Sequence, residues 1–169
     1  MTSTAVIASI VALVACVTDV RSRRIPNVLT FGAAAAALVF HAVTPGAGGL
    51  GVAAGGWLMG AAVFAPFFLL GGMGAGDVKL MAALGAWLGP GEALAIALYA
   101  SLAGGVIAIG VSLYTGYLRT ALRNVWAMLK FWWLVGPGPV PGLTLDQASG
   151  PRVAFALPIC CGLLVALWL

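Results

Sequence analysis

Apolar residues run through this chain in long blocks, and charges or Gly/Pro pairs appear only between them. Taking each block from one interruption to the next predicts six candidate spans, at 2–19, 28–43, 49–70, 77–89, 92–118 and 152–169. A bilayer hydrocarbon core of about 30 Å takes roughly 20 apolar residues per helix, so a chain of this size holds five or six crossings and no separate soluble domain. The fourth block is short, because Pro90 and Gly91 close it soon after Asp77. It is expected to tilt or to end below the far surface.

Two segments depart from the uniform apolar pattern. LRTALRNVWAMLKFWWLV, Leu118 to Val135, sets Arg119, Arg123, Ala127 and Lys130 at helical spacing beside Trp126, Trp132 and Trp133. The part over 119–135 reads as an interfacial helix facing anionic lipid. In the third span, Gly51, Gly55, Gly56 and Gly60 give overlapping small-x-x-x-small spacings that suit close helix packing.

Composition agrees with the pattern: 63% of residues are hydrophobic and 7% are charged. These values belong to an integral membrane protein rather than a soluble domain. Short cytoplasmic loops collect Lys and Arg, and with six spans and the N-terminus outside, all eight basic residues fall on the cytoplasmic side. They are Arg21, Arg23 and Arg24, Lys79, Arg119, Arg123 and Lys130, and Arg152. The formal charge of +4 therefore needs no nucleic-acid partner. The first seventeen residues carry no charge and the arginines follow them, so the segment reads as a retained helix and not as a cleaved signal. Cys16, Cys160 and Cys161 form no C-x-x-C pair, and they read as small packing residues with no metal to bind.

Only four residues are acidic. Glu92, beside Pro90 and Gly91 in an expected outer turn, and Asp146, in the loop GPGPVPGLTLDQASGP, read as solvated. Asp19 and Asp77 lie at the cytoplasmic ends of spans one and four, and the topology puts them at similar depth on one side of the membrane. Each has a bland alternative. Asp77 at a helix start can cap backbone N–H groups, and Asp19 can pair with Arg23 four residues on.

Together the two aspartates read as a dyad. Gly74 and Gly76 before Asp77 are expected to take positive φ and to leave the carboxylate open to an extended peptide. Two carboxylates about 3 Å apart do not both ionise, and such a pair offers a base for water and an acid for a carbonyl oxygen.

Asp19 with Ile25-Pro26-Asn27, and Gly74-Ala75-Gly76-Asp77-Val78-Lys79-Leu80 followed by Ala83-Leu84-Gly85-Ala86-Trp87-Leu88-Gly89-Pro90, resemble the type IV prepilin peptidase family. The likeness is to the short members that serve tight-adherence, Flp-type pili. It implies an aspartyl endopeptidase of the bacterial inner membrane, with its active site at the cytoplasmic face. The enzyme would cut the basic leader from a prepilin after a glycine, alongside pilus assembly machinery in the bilayer. The resemblance maps the catalytic pair onto Asp19 and Asp77 and the motif glycines onto Gly74 and Gly76. Larger members carry a cysteine-rich insertion and methylate the new N-terminus. Without C-x-x-C here, neither zinc, another cofactor nor methyl transfer is expected.

Lys79 can hold a substrate carbonyl or bias the dyad, against the alternative of snorkelling to the interface. Pro26 and Asn27 end the first loop and start the second span. His41, near the outer end of that span, is given no chemistry. A proton-coupled transporter would place a carboxylate near the midplane and show matching halves. A non-catalytic assembly subunit would tolerate loss of either aspartate.

Overall fold

The apolar blocks fold as helices throughout. The computed structural model describes residues 2–44, 46–145, 150 and 153–169. In order they are α1 (Ser3–Ser22), α2 (Asn27–Val43), α3 (Gly46–Leu69), α4 (Ala75–Leu88), α5 (Pro90–Tyr114), α6 (Leu118–Val135) and α7 (Ala156–Trp168), with no strand among the described residues. Ser3–Ser22, Gly48–Leu69 and Pro90–Tyr114 are long and apolar enough to cross a membrane. Asp146 and Arg152, read above as a solvated loop residue and a cytoplasmic cation, lie outside the described residues.

The short fourth block is the centre of the bundle. α4 packs against α1, α2, α3, α5 and α7, and every residue from Leu80 to Trp87 is buried. A helix apolar on all sides belongs inside a protein, and here the lining is other helices. At 1.5 Å per residue its fourteen residues span about 21 Å. Gly89 stops it with φ 93, and Pro90 then takes the first position of α5, where its missing N–H costs nothing. A single residue therefore separates α4 from α5 where a longer outer turn was expected. Glu92 lies exposed in the first turn of α5, where an acidic side chain suits the positive helix end.

Two of the four glycines of the small-x-x-x-small stripe in α3 explain how closely α3 and α4 approach. A Cβ on Gly56 would run into the Gly85 carbonyl, and one on Gly60 into the Met81 carbonyl. Gly51 faces open space and Gly55 only grazes the Pro90 ring, so the packing stripe has half the expected width.

The block expected at 92–118 is α5, which stops short of its expected end, and the helix expected over 119–135 is α6. α5 ends at Tyr114, and Gly116, at φ 69, turns the chain into α6. Among the described residues α6 touches no helix but α5 and has no buried residue. Trp126 and Trp133 are 70% and 85% exposed, the disposition of a helix that lies on the bundle and faces its surroundings. The last helix starts at Ala156 and not at 152, which leaves it thirteen residues long.

Candidate active site

α1 ends where the backbone of Arg23 turns left-handed, at φ 54, while its N–H closes on the Asp19 carbonyl at 2.8 Å. That closure fixes Asp19 on the last turn of α1. The next residues, Arg24 to Pro26, lead into α2, with Pro26 as the N-cap and Asn27 as the first helical residue. Asp77 sits in the first turn of α4. Both aspartates are buried, each 8% exposed.

Each carboxylate is held by a backbone amide. The Ala156 N–H, at the start of α7, donates to Asp19 Oδ2 at 3.2 Å. The Gly74 N–H donates to Asp77 Oδ2 at 3.3 Å. The bland reading of Asp77 is thus part of the site, since one oxygen caps α4 from its third helical position. Charged acceptors make the stronger hydrogen bonds, and a single N–H to each carboxylate among the described residues leaves lone pairs for another ligand.

The glycines before Asp77 act differently from the expectation. Neither Gly74 nor Gly76 has positive φ. Gly74 is extended at φ −78, ψ 146, and Gly76 is already helical. Their role is space. A Cβ on Gly76 would lie 3.3 Å from Ile25 Cβ, and one on Gly74 would lie 3.2 Å from Asp77 Oδ2. The first glycine clears the carboxylate, and the second lets the loop after α1 close over the start of α4.

Asp19 and Asp77 together line two cavities, of about 460 Å³ and 430 Å³, and Arg23 and Gly74 also border both. The smaller is walled by Arg24 to Asn27, by Ala75 and Gly76, and by Lys79. There the Lys79 ammonium donates to Asn27 Oδ1 at 3.0 Å and lies 5.0 Å from the Phe31 ring centre. Lys79 therefore ties the Ile25-Pro26-Asn27 loop to α4, in addition to standing in the same cavity as the carboxylates. The two sequence motifs meet, and all seven residues singled out above border this one cavity.

The larger cavity brings in residues to which the sequence reading gave no role. Its wall continues through Ser112, Tyr117 and Asn124 to Ala154 and Phe155. A backbone N–H such as that of Ala156 carries no side-chain signature. Asn124 did carry a signal: it is an amide in a helix otherwise read only for its cations and tryptophans. His41 lies elsewhere, its Nε2–H donating to the Trp87 carbonyl at 3.3 Å near the other end of α4. Among the described residues no cluster of three or more His, Cys, Asp or Glu could hold a metal ion.

Residues 6–109 match the model of the type IV leader peptidase family. The matched stretch contains both aspartates, the Ile25-Pro26-Asn27 loop and Gly74 to Leu80, and it stops inside α5. No curated protein and no solved structure matches the chain.

Proposed function

Because the chain belongs to the type IV leader peptidase family, we propose that Asp19 and Asp77 are the catalytic dyad with which it removes the leader from an Flp-type prepilin. The observation that carries this reading is that both buried carboxylates, from helices far apart in sequence, line the same two cavities.

The chemistry follows from one shared proton. The ionised carboxylate takes a proton from water, and the hydroxide that forms attacks the scissile carbonyl carbon. The protonated carboxyl gives its proton to the carbonyl oxygen, producing a gem-diol. Collapse of the gem-diol returns a proton to the leaving nitrogen and breaks the C–N bond. The N–H groups of Ala156 and Gly74 each hold one carboxyl oxygen and leave the other for this proton exchange. The reading uses no metal and includes no methyl transfer.

The reading extends to topology. With the N-terminus outside, the end of α1 and the start of α4 lie at the cytoplasmic face together with Arg21, Arg23, Arg24 and Lys79. Six crossings then include α2, α4 and α7, of seventeen, fourteen and thirteen residues. Crossings this short go with local thinning of the bilayer. A transporter is disfavoured by the position of both carboxylates at helix ends, and an assembly subunit by the family match.

The test is a gel-mobility assay of a co-expressed Flp-type prepilin. A shift to the cleaved size that needs both aspartates supports the reading, and cleavage without either one refutes it.

A further inference from the structure

Beyond the family match, the chain still builds a large part of the bigger cavity. At the end of α5 the Gly116 N–H reaches the Leu113 carbonyl at 3.2 Å and the Tyr117 N–H reaches the Ser112 carbonyl at 2.8 Å. This pair of bonds around a left-handed glycine is a Schellman closure. It brings Tyr117, Ala121 and Asn124 to the cavity wall. The opposite face of α6 points away: Leu122, Val125, Trp126, Leu129 and Trp133 are each more than half exposed.

An inward-facing amide on such a helix calls for a reason. Asn124 is half-buried, and its Nδ2 donates to the Tyr117 hydroxyl at 3.4 Å, its single side-chain partner among the described residues. At that length the bond is weak, so toward the described residues the amide retains one N–H and its carbonyl oxygen. Donor and acceptor side by side are what one peptide unit presents. The neighbouring wall, Ala108, Val111 and Phe155, is apolar. A peptide unit entering such a cavity gives up its water partners at a cost unless the wall replaces them.

We propose that Asn124, oriented by Tyr117, is a binding subsite for the backbone of an extended peptide beside the two carboxylates. The proposal rests on the leader-peptidase reading for the class of ligand. Asn124 is a positioning residue that recognises main chain and is indifferent to the peptide's side chains.

The experiment is a binding measurement with the Asp77→Asn protein in lipid nanodiscs and a fluorescent peptide spanning a prepilin cleavage site. Adding Asn124→Ala is expected to weaken binding by about three- to tenfold, the equivalent of roughly one hydrogen bond. Tyr117→Phe should weaken it less, since only the orienting hydroxyl goes. A benzophenone amino acid at Ala121 should cross-link the peptide within a few residues of the scissile bond, which keeps the test open if Asn124→Ala inserts poorly. Unchanged affinity in Asn124→Ala, or cross-links confined to positions remote from the bond, overturns the subsite. Cleavage of the peptide by the Asp77→Asn protein would instead sink the dyad, while the affinity comparison would still report on Asn124.

Discussion

The backbone N–H of Ala156 donates to the carboxylate of Asp19 at 3.2 Å, a contact across 137 residues of sequence that is buried at both ends. It joins the first helix to the last at the mouth of the candidate site. A hydrogen bond to a charged acceptor contributes about 1.5–3 kcal/mol, enough to hold the carboxyl in one orientation. An asparagine oxygen of the same shape still accepts, though without the charge, so Asp19→Asn keeps the geometry of the contact while removing the ability to exchange a proton.

Gly76 and Ile25 form a second such relationship. A methyl on Gly76 would lie 3.3 Å from Ile25 Cβ, tighter than a comfortable contact, so Gly76→Ala should displace the loop after α1. Cleavage is expected to fall by about tenfold, in line with the sensitivity of positioned groups to small displacements. Removing that Cβ with Ile25→Gly in the same chain should restore part of the rate, and rates from single and double variants at equal membrane levels provide the check.

The crossing of α3 and α4 sets stability more than activity. Gly56→Ala forces a methyl onto the Gly85 carbonyl and should cost about 1–3 kcal/mol, as overpacking does. Gly51→Ala, where a Cβ meets open space, should be neutral or slightly stabilising. Thermal melts of the two purified variants in one detergent should separate them clearly.

Lys79→Ala should leave the enzyme active. It removes the hydrogen bond to Asn27 and the cation–π contact with Phe31, neither of which carries a reacting proton in this account. Contacts of this kind at a partly exposed site contribute about 0.5–1.5 kcal/mol each. Initial rates within about tenfold of the parent are expected, and a loss as deep as that of an aspartate variant would place Lys79 in the chemistry.

The sequence made the helices and the two aspartates legible for one physical reason: in so apolar a chain each break and each charge stands out. Asp19 and Asp77 could be paired because the topology expected from the charges puts both at one membrane face. The roles of Gly74 and Gly76 were not legible in detail, since a glycine that gives room and one that permits positive φ look alike in sequence. Pro90 read as a breaker because nothing local distinguishes the end of one helix from the first position of the next. The wall made by Tyr117, Asn124 and Phe155 was hidden for another reason. Its members are brought together by the return of α6 and α7 to the bundle, and periodicity within one helix does not encode that return.

The central claim is that Asp19 and Asp77 act as one proton-sharing unit, and the isosteric variants test it most directly. In membranes with matched protein levels, Asp19→Asn and Asp77→Asn should each lower the initial rate of prepilin cleavage by at least about 100-fold, the scale of general acid–base catalysis. The double variant should be hardly worse than either single one. Both proteins should insert and melt as the parent does or higher, because removing a costly carboxylate from an apolar bundle does not weaken it. Parent-like cleavage by either well-inserted variant would contradict the account and leave Asp77 as a helix cap and Asp19 as the anchor for α7.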